Sequence, residues 1–261
     1  MSAAPAEFID VDGVSIAFRR RLGSAPGPTP GVVWLGGYRS DMLGTKAETL
    51  DAWAAASGHA FLRHDYSGHG ESGGEFRDGT ISLWLAQSLA VFRQQTDGPQ
   101  IIVGSSMGAW IALLLIAELH KAGEGARVGG LILLAPAPDF TRELIEPQLT
   151  DDQKAQLADK GYMEEPSDYD FNPYIYTRAL FEDGALNLVM TGPIDTHCPI
   201  TILQGMADPD VPYKHALKLA SLMRADDVTM SLIPDGDHRL SRPQDLDMLI
   251  KAVEETARRI A

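Results

Sequence analysis

Residues 101–109, with the sequence IIVGSSMGA, constrain the fold of this chain more than any other stretch. The stretch opens with β-branched apolar residues, which predict a buried parallel strand. Gly104, Ser106 and Gly108 then fit the pattern G-x-S-x-G, and the apolar, alanine-rich run at 109–119 predicts a helix facing the core. Strand, tight turn and helix in this order predict a nucleophile elbow, which presents a reactive serine at the tip of a sharp turn.

The glycine spacing around Ser106 has a physical reason. The serine of an elbow takes a strained backbone conformation, and side chains at Gly104 and Gly108 would clash with neighbouring backbone. The serine hydroxyl is then exposed above the N-terminus of the following helix. The backbone N–H of Met107 lies there as a donor to a developing oxyanion. Ser106 is therefore predicted to be the nucleophile and Met107 an oxyanion donor.

Strands and helices alternate along most of the chain, after an opening hairpin that turns at Asp12-Gly13. Short apolar runs that predict strands lie at 32–35, 60–64, 130–135, 200–204 and 228–233. Helices are predicted at 45–57, 81–95, 213–223 and after Pro243. This alternation predicts an α/β fold with a mostly parallel sheet and an N-terminal antiparallel hairpin. Catalytic groups in such sheets collect at the carboxyl ends of the strands.

Two patterns predict the starts of helices. Thr45 and Glu48 have the spacing of a capping box, and so do Thr150 and Gln153. The first helix is expected to end before Gly58, because glycine readily takes the left-handed conformation that closes a helix.

Residues 136–195 interrupt the alternation and carry little strand signal. We therefore interpret residues 1–261 as one domain in which 136–195 form a helical lid inserted over the sheet. Certain lid side chains are candidates for lining an acyl pocket, with packing of the lid against itself as an equal alternative for each. These candidates are Tyr162, Met163, Tyr169, Phe171, Tyr174 and Tyr176.

Composition limits the classes of function. The 261 residues include 22 basic and 36 acidic side chains, for a formal net charge of −14. This balance disfavours nucleic acid or an anionic membrane surface as the main partner. The longest apolar run, 109–117, is too short to span a bilayer. No basic region followed by an apolar stretch opens the chain, so we expect a cytoplasmic protein, or an organelle protein whose presequence has been removed.

Metal and nucleotide motifs are absent from the sequence. None of H-E-x-x-H, C-x-x-C, G-x-G-x-x-G and G-x-x-x-x-G-K-[ST] occurs, so neither a metal nor another cofactor is predicted. Cys198 is the single cysteine, which excludes an intramolecular disulfide. It precedes an apolar strand and is expected to be a buried structural residue.

A serine nucleophile needs a base in contact with it and an acid that orients the base. On this architecture the partners follow the serine in the order acid, then histidine. Asp208 and Asp210, in the loop after the strand at 200–204, are both candidates for the acid. Asp208 is preferred because it is nearer the strand end. His238 is preferred as the base because it follows the acid and lies in the loop after 228–233.

Other histidines fit the base less well. His215 lies within a predicted helix and is expected at the surface, whereas His69 precedes the serine and is expected to have a structural or supporting role. A second oxyanion donor is expected from the loop after the strand at 32–35. The Gly36-Gly37-Tyr38 sequence fits, with the Tyr38 N–H as the predicted donor, although a plain tight turn is the alternative. Tyr38→Ala should then matter little, unless the side chain also shapes the pocket.

Taken together, these residues resemble the α/β-hydrolase fold family. More narrowly, the chain resembles its mitochondrial members, which act as palmitoyl-protein thioesterases and as mycophenolic acid acyl-glucuronide esterases, and their bacterial relatives. The resemblance extends from about Trp34 to the C-terminal helix. The segments that carry it are GTKA at 44–47, HDYSG at 64–68, GPQ at 98–100, VGSSMG at 103–108, CPI at 198–200, GM at 205–206 and DHR at 237–239.

The resemblance implies a serine hydrolase of acyl thioesters or esters, including depalmitoylation, that acts on small-molecule or protein-linked substrates. Carried over by motif, Ser106 is the nucleophile, Asp208 the acid and His238 the base, which agrees with the assignment from the residues themselves. The chain departs from the family pattern at Gln204, where a histidine is expected before Gly-Met, and at Pro209, which interrupts an Asp-Asp pair.

Several alternatives remain open. The same triad could serve a carboxylesterase of small esters, a C–C hydrolase, a peptidase or a perhydrolase. A serine at position 106 argues against an enzyme with an aspartate nucleophile. A catalytically silent binding module is a remote alternative, since such modules usually lose a triad member. The sequence makes no prediction of the oligomeric state.

Overall fold

A computed structural model describes residues 5–25, 29–165, 173–224 and 227–260 of the chain. Its strands are β1 (Glu7–Val11), β2 (Val14–Arg21), β3 (Gly31–Leu35), β4 (Phe61–His64), β5 (Gln100–Ser105), β6 (Val128–Leu134), β7 (Tyr162–Glu165), β8 (Tyr174–Thr177), β9 (Ile200–Gly205) and β10 (Val228–Ile233). Its helices are α1 (Thr45–Ser57), α2 (Ile81–Gln95), α3 (Met107–Lys121), α4 (Asp151–Lys160), α5 (Arg178–Leu186), α6 (Tyr213–Leu222) and α7 (Pro243–Ile260). None of the helices in these ranges is long and apolar enough to cross a lipid bilayer.

An eight-stranded sheet with the order β1-β2-β4-β3-β5-β6-β9-β10 forms the centre of the molecule. β1 pairs antiparallel with β2, and β2 pairs antiparallel with β4. The other neighbouring strands of this sheet pair in parallel. The predicted α/β fold with a mostly parallel sheet and an N-terminal antiparallel hairpin is therefore confirmed. The parallel strands point their carboxyl ends to one edge, where the loops that follow them meet.

Helices cover both faces of the sheet. α1 and α7 pack on one face, where side chains such as Leu50 and Val253 meet Val32 and Ile101 of the strands. α2, α3 and α6 pack on the other face. Burying a Leu, Ile or Val side chain stabilises the fold by roughly 1.5–3 kcal/mol, so the two apolar layers together hold the sheet rigid beneath the loops. Cys198, just before β9, is buried as expected.

The segment between β6 and β9 contains more than helices. A π-helical turn at Thr141–Ile145 leads to α4, which begins with the predicted capping box of Thr150 and Gln153. β7 and β8 then form a separate two-stranded antiparallel pair, and α5 follows it. This pair was hard to predict from sequence patterns because each strand spans only 4 residues. Tyr169 and Phe171 lie outside the described residues.

The start of α1 differs from its prediction in one respect. The helix spans Thr45–Ser57 and is closed by Gly58 in the left-handed conformation, as expected, but its N-cap is Gly44 and no side chain caps it. The predicted capping box is wrong because Glu48 forms an ion pair with Arg63 instead. Arg63 is buried on β4, and a buried guanidinium needs a carboxylate more than an exposed helix N–H does.

Candidate active site

Ser106 lies at the sharp turn between β5 and α3, with φ 55° and ψ −120°. This is a strained conformation for a residue with a side chain. A Cβ on Gly108 would lie well under 3.0 Å from the carbonyl oxygen of Leu35, and one on Gly104 would lie 2.6 Å from the carbonyl oxygen of Gly108. Both glycines are therefore required by close backbone approach, which is the reason the sequence pattern predicted.

A hydrogen-bonded chain links Ser106 to two residues from other strands. His238 Nε2 lies 3.0 Å from Ser106 Oγ, and His238 Nδ1 lies 2.8 Å from Asp208 Oδ2. The Asp208 side chain is 0% exposed, whereas that of His238 is 18% exposed. The carboxylate accepts from Nδ1–H, which leaves Nε2 as the basic nitrogen facing the serine.

The loop after β9 brings Asp208, rather than Asp210, into hydrogen-bonding contact with the imidazole. Asp208 Oδ1 accepts the backbone N–H groups of Asp210 at 2.9 Å and Val211 at 2.8 Å, so the loop folds around this carboxylate. A carboxylate oxygen of Asp210 also lies within 4.8 Å of ligand atoms of Asp208 and His238. In the described chain, no other group of three His, Cys, Asp or Glu residues has its candidate ligand atoms this close together.

Gln204, the residue that departs from the family pattern, supports the acid. It is fully buried, and its amide Nε2 donates to Asp208 Oδ2 at 3.3 Å and to the carbonyl oxygen of Val211 at 3.0 Å. The amide thus fixes both the carboxylate and the loop that wraps it. Pro209 lies between the two aspartates without disturbing this arrangement, since Asp208 keeps its backbone donors on the far side of it.

The loops after β9 and β10 are held together where the Gly-Met motif lies. The Ala207 N–H donates to the carbonyl oxygen of Gly236 at 3.0 Å, and the Met206 N–H donates to that of Ile233 at 2.8 Å. A Cβ on Gly205 would lie well under 3.0 Å from the carbonyl oxygen of Gly236. The absence of a side chain at position 205 therefore lets the loop that carries the histidine approach the loop that carries the acid.

The loop after β3 lies directly against the serine. A Cβ on Gly37 would be 3.2 Å from Ser106 Cβ and 3.3 Å from the carbonyl oxygen of Ser105. The next backbone N–H, that of Tyr38, has no acceptor within the described chain. Met107 is the first residue of α3, where an N–H has no intrahelical acceptor. The two predicted oxyanion donors therefore lie beside the serine, with no acceptor from the helix or the loop.

Residues 36–42, which follow β3, are called the oxyanion loop here after the donor predicted at Tyr38. Three contacts from the loop after β4 hold this oxyanion loop in place. Tyr66 donates its hydroxyl to the carbonyl oxygen of Gly36 at 3.1 Å. His69 Nε2 accepts the N–H of Arg39 at 3.2 Å, and Asp65 Oδ1 accepts that of Met42 at 2.6 Å. The roles of Asp65 and Tyr66 were not predicted from the sequence, although HDYSG at 64–68 is among the motifs of the resemblance.

His69 and His215 are both buried, for different reasons. His69 braces the oxyanion loop, in line with the supporting role expected of it. The expectation that His215 lies at the surface is wrong, because it is only 6% exposed and its Nε2 lies 2.8 Å from the carbonyl oxygen of Pro138. Burial also lowers the pKa of His215. It ties α6 to the segment that follows β6.

A cleft of about 620 Å³ opens at Ser106 and His238. Of the six candidates for the pocket, Met163, Tyr174 and Tyr176 line it. Tyr162 does not, and instead packs its ring 4.0 Å from the guanidinium carbon of Arg77. Further apolar lining residues that were not predicted include Ala137, Phe140, Leu144, Ile145, Leu149 and Val211. Most belong to the turns that follow β6, which carry no regular periodicity.

The Tyr38 side chain also shapes this cleft. Its ring stacks on Tyr176 with centroids 5.3 Å apart and meets the edge of Trp84 at 5.9 Å. Its hydroxyl donates to the carbonyl oxygen of Ile175, and burial raises the pKa of this phenol. The Tyr38 side chain therefore shapes the pocket, which was the stated exception to the expectation that Tyr38→Ala matters little. We expect Tyr38→Ala to disturb the pocket.

Comparison with known proteins agrees with this geometry. Residues 25–247 match the model of the alpha/beta hydrolase family. The chain belongs to the alpha/beta hydrolase family. Its activity is accordingly that of a hydrolase, in agreement with the elbow and the arrangement of loops at the carboxyl edge of the sheet.

The relatives of this hydrolase include characterised and structurally solved proteins. The mitochondrial palmitoyl-protein thioesterase ABHD10 of Mus musculus is 32% identical over 242 residues, which are 92% of this chain and 78% of that protein. A solved protein from Agrobacterium vitis S4, named as a hydrolase, shares 54% identity with a TM-score of 0.92, over 97% of this chain and 100% of that one. The solved mouse α/β-hydrolase domain-containing protein 10 shares 28% identity with a TM-score of 0.86, over 99% and 100% of the two chains.

Proposed function

We propose that this hydrolase cleaves acyl thioesters or esters through a Ser106–His238–Asp208 triad and an acyl-enzyme intermediate. The observation that carries the proposal is the hydrogen-bonded chain of the three side chains, with 3.0 Å and 2.8 Å links, in a cleft that has both apolar and polar lining residues. A serine hydroxyl is a poor nucleophile at neutral pH, and contact with an imidazole whose far side is held by a carboxylate activates it.

The reaction follows from these contacts. His238 Nε2 takes the Ser106 proton as Oγ attacks the acyl carbonyl carbon, and Asp208 stabilises the imidazolium that forms. The tetrahedral intermediate then collapses, the carbon–sulfur or carbon–oxygen bond breaks, and the leaving atom takes the proton from His238. In the second half, His238 removes a proton from water, the hydroxide attacks the acyl-enzyme, and the free acid departs as Ser106 regains its proton.

The oxyanion is proposed to accept hydrogen bonds from the backbone N–H groups of Met107 and Tyr38. Two facts support this assignment: the Gly37 backbone is in van der Waals reach of Ser106, and the Tyr38 N–H has no acceptor in the described chain. Removing one such donor typically costs about 3 kcal/mol of transition-state stabilisation. The braces from Tyr66 and His69 would hold the loop before substrate arrives, so no reorganisation is needed during the reaction.

The acyl group is proposed to lie against the apolar side of the cleft. We infer that residues 136–195 act as a lid within a single domain of 1–261, because Phe140, Leu144, Leu149 and Met163 from this segment line the cleft. The thioesterase names of the mitochondrial relatives support a thioester substrate, small or protein-linked. We propose the cytoplasm or an organelle matrix as the compartment, and the mitochondrial location of those relatives supports the matrix.

The first test is a matched series of acyl thioesters and oxygen esters from C2 to C16. Ser106→Ala serves as the blank, and Ser57→Ala, at the exposed end of α1, is the matched control. Rates that peak on medium or long thioesters would support the deacylase. Rates confined to short oxygen esters would favour the carboxylesterase alternative. Turnover that persists in Ser106→Ala, with wild-type-like folding, would overturn the mechanism.

A second test separates the two candidate acids. Asp208→Asn is expected to lower kcat about 10⁴-fold, because an amide in this position stabilises the wrong tautomer of His238. Asp210→Asn should cost far less, since Asp210 contributes its backbone N–H to Asp208 and not a hydrogen bond to the imidazole. Both rates are measured on the best ester of the series. A larger loss in Asp210→Asn would reverse the assignment.

A further inference from the structure

The cleft has a second side, built from residues that the proposed chemistry does not use. This basic side is lined by Trp34, Gly44, Thr45, Lys46, Arg239 and Ser241. The residues come from the end of β3, the start of α1 and the loop just after His238. They include most of the GTKA motif at 44–47, which the sequence analysis singled out without a function. The contrast with the apolar side indicates a different ligand chemistry here.

Hydrogen-bond donors dominate the basic side. Lys46 Nζ donates to the backbone carbonyl oxygen of Arg239, which places the ammonium beside the segment that follows the histidine. α1 spans 13 residues and starts at Thr45, with no side chain on its N-terminal N–H groups, so the positive end of its dipole faces the cleft. Asp41 also lines the cleft near this end, and one of its oxygens accepts the N–H of Leu43.

Trp34 provides an independent observation. It lines the same cleft but is only 4% exposed, and its buried Nε1–H has no hydrogen-bond acceptor within the described chain. This indole nitrogen lies 3.7 Å from the position that a Cβ on Gly36 would occupy, and Ser40 Oγ lies 3.5 Å from the same position. A buried donor without an acceptor is costly, and a ligand acceptor in this side of the cleft would relieve it.

The charges on this side also favour an anion. Burial, and then the positive charge of Arg239, lower the pKa of Lys46 to about 8, while Asp237 and Asp245 act in the opposite direction. Burial disfavours the charged form of a lysine. An anion beside Lys46 would offset this effect and favour the protonated ammonium.

The direction of the proposed reaction decides which part of the substrate meets the basic side. His238 donates its proton to the leaving atom, so the leaving group departs on the side of that imidazole. Arg239 and Ser241 follow His238 in the chain and line the cleft there. The acyl chain would then lie against the apolar residues that line the cleft, such as Phe140 and Leu144.

We propose that the basic side binds an anionic group, a carboxylate or a phosphate, carried by the alcohol or thiol that leaves, with Lys46 as its main contact. This inference rests on the proposed serine-hydrolase function. It makes the residues of the basic side determinants of leaving-group specificity rather than catalytic residues.

Matched substrate pairs test the proposal. The first pair is the hexanoyl thioesters of 3-mercaptopropionate and of its neutral amide. The second pair is the hexanoyl thioesters of 2-mercaptoethyl phosphate and of 2-mercaptoethanol. The enzymes are wild type, Lys46→Gln, the charge-conserving Lys46→Arg, and Lys214→Gln, a control at an exposed position on α6.

We expect wild type to prefer the anionic member of at least one pair. Lys46→Gln should lower kcat/KM on that member about tenfold, chiefly through KM, which corresponds to about 1.4 kcal/mol. The neutral member should change less than twofold. Lys46→Arg should keep the preference, and Lys214→Gln should match wild type on every substrate. If Lys46→Gln does not fold, Arg239→Gln allows the same comparison.

Preference in the carboxylate pair alone would identify a carboxylate, and preference in the phosphate pair alone would identify a phosphate. Equal losses on charged and neutral members, or no preference in wild type, would overturn the inference. A neutral thioester hydrolysed through Ser106 under those conditions would leave the proposed function intact. Hydrolysis of the neutral thioesters that survives Ser106→Ala would instead reject the function itself.

Discussion

Two buried histidines, His64 on β4 and His69 in the loop after it, should make this protein sensitive to acid. His64 is 3% exposed, and its Nε2 lies 3.1 Å from Ser88 Oγ. Because Ser88 already donates its own hydroxyl to the carbonyl oxygen of Trp84 at 2.7 Å, Nε2 must carry the proton and donate. His64 Nδ1 is then an unprotonated, buried nitrogen with no partner in the described chain.

His69 is likewise held in its neutral form. It is 4% exposed, its Nδ1 lies 3.1 Å from the carbonyl oxygen of Ser67, and its Nε2 accepts the N–H of Arg39. A second proton, on Nε2, would face that N–H. Burial is the main cause that lowers the pKa of each histidine from 6.5 to about 4, with the charge of His69 adding to the effect on His64.

The direction of the pH dependence follows from proton counts. Between pH 6.5 and about 4, the unfolded chain binds a proton at each histidine and the folded chain does not. Stability is therefore fully present above pH 6.5, falls as the pH is lowered towards 4, and then levels off for these groups. At about 1.4 kcal/mol per pH unit, each histidine lowers the free energy of unfolding by about 3 kcal/mol over this window. A typical domain has only about 5–15 kcal/mol in total, so the loss is large.

Urea unfolding at pH 7.5, 6.5, 5.5 and 4.5 measures this dependence in wild type, His64→Gln and His59→Gln. Glutamine at position 64 keeps a donor for Ser88 but cannot take up a proton. Its stability should therefore fall less steeply with acidification, by about 1.4 kcal/mol per pH unit between pH 6.5 and 4.5. His59 is only half-buried, and its variant should follow wild type. Parallel curves for wild type and His64→Gln would refute the reasoning.

Two further predictions concern the elbow and the loop after β3. Gly108→Ala should prevent correct folding of the elbow, because its Cβ would overlap the Leu35 carbonyl oxygen; thermal melting of the soluble fraction tests this, with Gly192→Ala, whose Cβ would meet nothing within 4 Å, as the unaffected control. Tyr38→Phe keeps the ring contacts but removes the hydrogen bond to Ile175, so it should cost about 1 kcal/mol of stability and reduce kcat/KM only a few-fold; a loss of several orders of magnitude would show that the phenol, and not the backbone N–H, acts in the reaction.

The architecture was predictable from the sequence because the strand, turn and helix signals agreed with one another. Apolar runs of strand length alternate with helical periodicity, and the strand, the glycine-flanked Ser106 and the following helix occur together. Asp208 and His238 were also found by their position after consecutive strands, and the structure brings both side chains to Ser106. Their catalytic roles remain predictions for the variants above.

What the sequence could not supply depends on contacts between distant residues. The β7–β8 pair consists of short strands that pack through Tyr174 and Tyr176 on the ring of Tyr38, more than a hundred residues earlier in the chain. Local propensity carries little weight in such strands, since neighbours decide their stability. His215 was misplaced for the same reason, because its partner at Pro138 lies in another part of the fold.

Several of the described non-glycine residues with positive φ lie at the carboxyl edge of the sheet, whereas Asp12 and His197 lie elsewhere. Arg39, Ser106, Ala135 and Leu240 all have positive φ without being glycine, and they follow β3, β5, β6 and β10 respectively. Such conformations are costly and persist only where surrounding contacts determine them. Here those contacts are the hydrogen bond that His69 accepts from the Arg39 N–H, the close-packed glycines, and the pairing of the Ser106 N–H with the carbonyl oxygen of Leu134 at 2.9 Å. The rigid parallel sheet thus stabilises strained turns at one edge, and the proposed mechanism requires the serine, its proposed base and the proposed oxyanion donors to be held at that edge before a substrate binds.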